Sequence, residues 1–247
     1  MDHFVYTAMS GAKQITYAQQ SNANNLANAR TSGFKQDFAQ ARAMPVFGPG
    51  LPSRVYAMTE RPSSDFTPGA LISTGRELDV AMKNENGFLS VLDKNGVESY
   101  TRSGELQIDE NGLLKTGNGL PVLGDGGPIT IPPSDKIEIG TDGTITVHPE
   151  GQPETVTAVV GRLKLVRPEL KDMEKNEQGL FVSKNGQPLE LAPNAYLVSG
   201  MTEGSNVNVI SAMTSMIDLS RQYEMQVKML KIAKELDDSS TQLLRMS

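Results

Sequence analysis

Seven Asn-Gly or Asp-Gly pairs punctuate the stretch between residues 86 and 186: Asn86-Gly87, Asn95-Gly96, Asn111-Gly112, Asn118-Gly119, Asp125-Gly126, Asp142-Gly143 and Asn185-Gly186. Both residues of such a pair tolerate positive φ, so each pair is a candidate hairpin turn. Between them run alternating segments, among them "ELDVAM", "FLSVL", "SYTRSGELQI", "GPITI", "KIEIG", "TITV", "TVTAVVGRLKLV" and "LFVS". Alternation with period two is the mark of a strand with one face buried. The spacing predicts an antiparallel, meander-like β-rich domain over residues 77–204.

The two ends of the chain have a different period. From Phe4 to Asn28 the spacing is helical: Val5, Ala12, Gln19 and Leu26 form one heptad series, and Ala8, Ile15, Asn22 and Ala29 its companion. Residues 205–247 contain neither Gly nor Pro and read as a second helix, capped by Ser205 or Asn206, or by Ser211 if 207–210 stay extended. At 100° per residue, Met213, Met216, Tyr223, Val227 and Leu230 fall on one stripe, and Met225, Met229, Ile232, Leu236 and Leu243 on another, nearly opposite. A surface helix needs one apolar stripe; two predict a helix held between neighbours. Between the first helix and the β segments, "MPVFGPGLPSRV" and "RPSSDFTPGAL" are broken by Pro and Gly, which predicts an extended connector with short strands. The chain is therefore expected to be an α+β protein with an N-terminal helix over 1–30, an extended arm over 31–76, the β-rich domain over 77–204 and a C-terminal helix over 205–247. The two helices are expected to pack as a coiled-coil-like layer, with each other and with other copies.

Where the first helix ends stands "NNLANARTSGFK", residues 24–35. Asparagine is a poor helix former because its amide competes for backbone groups. The heptad frame offers a reason for it. Asn22 falls on the seam beside Leu26, where a buried amide sets register at a cost in stability. Asn25 and Asn28 share a face and can bond neighbouring backbone, and Asn28 to Gly33 supplies residues that tolerate a left-handed turn outward. The plainer alternative is a frayed helix end. If the amides serve register, replacing Asn25 and Asn28 together by Leu should stabilise the helix yet impair assembly.

Composition removes several function classes. The net charge is −6 with both signs mixed, which leaves no electrostatic footprint for nucleic acid. The absence of cysteine removes disulfides, zinc-thiolate sites and thiol catalysis. His3 and His148 are far apart and lack a matching ligand pattern, so the first is expected at an exposed terminus and the second at a β edge or loop. Asp109, Glu110 and Asp142 sit at turns, "GNGLPVLGDGG" lacks the Lys-Ser/Thr of a phosphate loop, and "DENGLL" lacks the ligand series of a calcium loop. No cofactor, metal or small-molecule substrate is expected, and no enzymatic activity. The N-terminus has no basic region or long apolar run, so neither a cleaved signal nor membrane insertion is expected.

"NNLANARTSGFK" resembles the N-terminal signature of the bacterial flagellar rod, hook and hook-associated protein family, with Asn24 a mild departure. "AYLVSGMTEGSNVNVISAMTSMIDLSRQYEMQVKML" resembles the family's C-terminal signature through Ser205, Asn206, Val207 and Asn208, then Met216, Ile217, Arg221, Tyr223 and Glu224. "GRELDVAMKNENGFLSV" and "YTRSGELQIDENGLLKTGNGLPVLGDGG" look like its β-domain segments. Length and the phrases "YTAMSGA" and "MIDLSRQYEMQVKM" resemble the proximal-rod branch, with the distal-rod branch as the alternative. The resemblance implies a structural subunit of the basal-body rod in the periplasmic space, with terminal helices as an inner layer and the β-rich domain outside. It also implies export by the flagellar type III apparatus without a cleaved signal, and assembly with copies of itself and other rod proteins. The expected assembly residues are Val5, Ala8, Ala12, Ile15, Asn22, Asn25, Leu26, Asn28, Gly33 and Phe34 at one end. At the other they are Asn206, Asn208, Met213, Met216, Ile217, Arg221, Tyr223, Val227, Met229, Leu230, Ile232 and Leu236. A rival class is a secreted β-domain binding module with oligomerising helical ends.

Overall fold

A computed structural model describes residues 2–39, 41–45, 55–59, 63–152 and 156–245. The chain divides into two compact units: one of residues 1–29, 36–65 and 207–247, the other of 30–35 and 66–206. The chain therefore passes between them four times. The stretch 31–76 belongs to both, with 36–65 in the helical unit and the rest in the β-rich one.

In the helical unit, helix α1 spans Asp2–Ala27 and helix α2 spans Val209–Arg245. The end of α1 is closed by the Asn28 amide N–H donating to Asn24 O at 3.1 Å and the Ala29 N–H to Leu26 O at 3.3 Å. The N-cap of α2 is Asn208, whose Oδ1 accepts the Ser211 N–H at 3.0 Å. This corrects the expected caps: Asn206 spends its amide on Thr67 O in the β-rich unit, and Ser211 is the third helical residue. Residues of the expected arm pair as antiparallel ladders, Ala41–Pro45 with Val55–Thr59 and Asp37–Phe38 with Ser63–Ser64. The Val55–Thr59 strand packs along α1, where the Ala57 N–H donates to Ser10 Oγ and Gln14 Nε2 donates to Ala57 O, both at 3.4 Å. The "VFGPGLPSR" part of the arm lies outside the described residues.

The β-rich unit centres on an antiparallel five-stranded sheet in the order Leu165–Val166, Phe88–Leu92, Glu98–Thr101, Phe181–Ser183, Met173–Lys175. "FLSVL" is inside on both faces. Leu89 and Val91 join a core with Leu106, Leu114, Val122, Ile145 and Leu163, while Phe88 packs with Tyr100, Val166, Met173 and Phe181. Period two delivers this division, since alternate side chains point to opposite faces. A three-stranded sheet, Ser134–Ile139, Thr144–Pro149 and Ala158–Arg162, covers the first core through Ile139, Ile145 and Val147.

The turns differ from expectation in one physical respect. Among the described residues no non-glycine has positive φ, so the Asn or Asp of each pair stays in ordinary backbone space. At Asn95-Gly96 the glycine alone has φ 76°, with Gly96 N–H donating to Asp93 O at 2.9 Å and Asp93 N–H to Val97 O at 2.9 Å. That is a type I turn closed by a left-handed glycine bulge, which asks positive φ of one residue instead of two. Gly87 and Gly126, of the other pairs, do not have positive φ.

Candidate assembly interface

Helices α1 and α2 pack antiparallel. Asn22 Nδ2 donates to Ala212 O at 2.7 Å, while a Cβ on Gly11 would stand 3.3 Å from the Gln226 carboxamide. Moving back eleven residues on α1 thus moves forward fourteen on α2. The seam is small and polar. Ala8, Asn22, Ala212 and Ala233 are buried in it, with Met216, Leu219, Gln226 and Leu230 half-buried on the same face of α2. Leu219 stands beside Ala18 and Asn22. The spacing from 212 through 216, 219, 226, 230 and 233 runs by fours and threes with one step of seven, so Met216 and Leu230 were visible in the sequence but Leu219, Ala212, Gln226 and Ala233 were not. Alanine carries a weak hydropathy signal and glutamine a polar one, whatever face they occupy.

The expected residues divide sharply. On α1, Ala12, Ile15, Leu26 and Asn28 are half-buried and Val5 is exposed. On α2, Met213, Ile217, Arg221, Tyr223, Val227, Met229, Ile232 and Leu236 are all exposed, as is Met225. Most of both apolar stripes is therefore unused by the chain's own helix pair. The side chain of Leu243 lies outside the described residues.

The asparagines meet specific partners. Asn25, 2% exposed, donates through Nδ2 to Asp37 O at 2.8 Å and accepts the Asp37 N–H on Oδ1 at 2.9 Å. One amide thus satisfies both backbone groups of one residue, as a strand neighbour would. Ser21 Oγ adds a bond to the same Asp37 O at 3.1 Å, and Ser64 Oγ donates to the Asp37 carboxylate at 2.9 Å. Asn28 Nδ2 turns back to Asn24 O at 3.0 Å, closing the helix end. Asn25 is consequently the joint between α1 and the returning arm, while Asn28 caps.

The second half of the motif serves the other unit. Gly33 has φ 69°, and a Cβ there would fall 2.3 Å from the Arg102 carbonyl carbon, so a side chain is excluded twice over. Its N–H donates to Glu203 O at 2.7 Å, with Ser32 Oγ on the same oxygen at 3.2 Å. The Phe34 ring lies 4.0 Å under Lys175 Nζ, and Lys175 also donates to Lys35 O at 3.0 Å. Lys35 Nζ, fully buried, reaches Glu203 Oε1 at 2.6 Å and Thr67 O at 2.8 Å. Arg102 holds Glu203 Oε2 through Nε at 2.7 Å and Nη2 at 2.5 Å. Burial by itself pushes the Glu203 carboxyl up, but the Arg102 charge, the hydrogen bonds from Lys35 and Arg102 and the Gly69 N–H outweigh it and hold it below the usual glutamate value. Asn206 N–H donates to Phe34 O at 3.4 Å. Lys35 was in the recognised motif, but no sequence pattern tied it to Arg102 and Glu203.

His148 lies on Thr144–Pro149, the middle strand of the three-stranded sheet and not an edge, facing Lys136 across the ladder. The side chain of His3 is outside the described residues. Among the described residues no group of three His, Cys, Asp or Glu is placed to hold a metal ion, and no helix is long and apolar enough to cross a membrane.

Paired terminal helices, with exposed apolar stripes, and an antiparallel β-rich unit inserted between them define a helix-terminated structural protein. Two family descriptions match it: "Flagellar basal body rod FlgEFG protein C-terminal" over residues 198–243 and "Flagellar hook protein FlgE/F/G D1 domain" over 84–147. The chain is 42% identical to the flagellar basal-body rod protein FlgF of Salmonella typhimurium and 41% identical to that of Escherichia coli, each over 100% of both chains. It is 32% identical to the flagellar basal-body rod protein FlgG of Buchnera aphidicola subsp. Schizaphis graminum, covering 89% of this chain and 91% of that one. The chain belongs to the flagellar basal-body rod protein family.

Proposed function

We propose that this protein is a structural subunit of the proximal flagellar rod, polymerising through α1 and α2 into the axle that transmits motor torque to hook and filament. The observation that carries the reading is the mismatch on α2. Its own seam with α1 takes Ala212, Met216, Leu219, Gln226, Leu230 and Ala233, while Met213, Ile217, Tyr223, Val227, Met229 and Ile232 stay exposed. A helix that leaves so many large apolar side chains uncovered by its internal partner has them available for external ones. Repeated between subunits in a non-closing arrangement, such contacts build a filament. At ~25 cal/mol per Å² of apolar area, modest individual contacts sum to a rigid lattice.

The partners are copies of the chain and other rod proteins, packed as a coiled-coil-like inner layer with the β-rich unit outside it. The location is the rod within the periplasmic space, reached through the flagellar type III export apparatus. The terminal segments, with so much apolar surface uncovered, are expected to be largely unfolded or self-associated in dilute monomer and to order on assembly. Hydrogen exchange on dilute monomer checks this: strong protection across 5–28 and 211–240 without oligomers would refute it. Deleting residues 211–247 should abolish rod formation and motility while the β-rich unit still melts cooperatively. A truncated protein that still joined rods would sink the terminal-helix mechanism.

A further inference from the structure

We infer that Lys35, Arg102 and Glu203 form a buried charge lock that holds together the points where the chain leaves the β-rich unit. The chain crosses out of this unit at 29/30, 35/36, 65/66 and 206/207. Every crossing segment touches Glu203 or continues from it. Gly33 N–H binds the Glu203 carbonyl at 2.7 Å, Lys35 binds its carboxylate at 2.6 Å, and Gly69 N–H binds the same Oε1 at 2.9 Å. Glu203 itself leads to Asn206, whose Nδ2 donates to Thr67 O at 3.2 Å. Arg102 joins the lock to the sheet. Its Nη1 donates to the carbonyls of Asn84, Glu85 and Gly87 at 3.1, 2.6 and 2.9 Å while Nε and Nη2 hold the carboxylate.

Two cations, Lys35 and Arg102, bind the one Glu203 carboxylate, and all three side chains are at most 1% exposed. Backbone carbonyls of residues 67, 84, 85 and 87 accept from the same two cations. This sets an order among substitutions. Glu203→Gln removes the carboxylate that both buried cations bind, whereas Lys35→Met leaves Arg102 Nε and Nη2 on Glu203 Oε2. Because Lys35 and Glu203 come from opposite ends of the sequence, the lock closes only when both have arrived. Arg102 borders the second core, 5.8 Å from the Phe88 ring centroid, but the lock has no member in the core of Leu89 and Val91, so its loss should loosen the crossing segments without opening that core. The inference does not depend on the rod reading, since its readout lies in the unassembled chain.

Native-state hydrogen exchange on the full-length chain tests it. In Glu203→Gln the amides of Gly33 and Gly69 should exchange about tenfold faster or more, while those of Leu89 and Val91 keep their rates. In Lys35→Met the same two amides should accelerate less than in Glu203→Gln. Equal acceleration at all four amides would make Glu203 an ordinary stability residue and overturn the lock, as would no acceleration at Gly33 and Gly69. A larger effect from Lys35→Met would overturn the charge ordering. Should Glu203→Gln fail to fold, Lys35→Met decides by the same contrast between local and uniform acceleration.

Discussion

At the scale of single residues, the asparagines change meaning once their partners are known. Heptad reasoning predicts that Leu at both Asn25 and Asn28 stabilises the helix. The structure reverses this for Asn25, because Leu would strip the Asp37 N–H and C=O of their shared amide. In the assembled state, where α1 is ordered, Asn25→Leu should therefore destabilise the helical unit by about 1–3 kcal/mol, read as a lower urea midpoint of the rods. Asn28→Leu should cost less, since its bonds to Asn24 O and Oδ1 at the helix end are exposed and water can replace them. Glu203 gives a second prediction. Its folded-state pKa lies below the unfolded one, so its contribution is complete above the ordinary glutamate range of ~4.3 and is lost as pH falls through the folded-state value. The stability gap between wild type and Glu203→Gln should be widest near neutrality and close below that range. A gap that stays constant into acid would contradict the assignment.

At the scale of elements, the helix pair depends on close approach. Gly11 sits under Gln226, whose flexible carboxamide supplies the three nearest atoms a Cβ would meet, at 3.3 to 3.4 Å, and its φ is not positive. In assembled rods Gly11→Ala should therefore stabilise α1 by about 0.5–1 kcal/mol, read as slower exchange along the helix. In the same rods Gly11→Leu should part the helices and speed exchange at Ala8 and Ala12. The strands were legible because "FLSVL", "TITV" and "LFVS" each carry a two-residue period or a short apolar run bounded by turns. The turn positions were equally legible, while the turn type was not, since both turn types favour Asn-Gly and only φ separates them. The seam of α2 was hidden for a related reason. Its defining members, Ala212, Gln226 and Ala233, are read as surface or filler by any scale that scores apolarity.

At the scale of the whole molecule, the boundary of the β-rich unit does not follow the order of the chain. Residues 30–35 belong to it although the 36–65 excursion separates them from the rest. A fragment spanning 30–206 should melt cooperatively, whereas 66–206 loses Phe34 and Lys35 and leaves Glu203 with one cation. Losing Lys35 should loosen the lock locally, so the Gly69 amide should exchange faster in 66–206 than in 30–206 while Leu89 and Val91 keep their rates. Hydrogen exchange on the two fragments checks this. Equal exchange at Gly69 would show that residues 30–35 are passengers.

By itself, the sequence determined the kinds of element, their order and the family. Those follow from periodicity, turn residues and motifs that are local along the chain. Only the tertiary structure decided which asparagine is a joint and which a cap, which face of α2 meets α1, and that Lys35, Arg102 and Glu203 share one buried site. These depend on contacts between residues up to 190 positions apart, as Asn22 and Ala212 are. "NNLANARTSGFK" shows both halves of the lesson. Its first five residues serve the helix and its returning arm, and Ser32, Gly33 and Lys35 near its end hold a glutamate that lies 168 positions beyond Lys35.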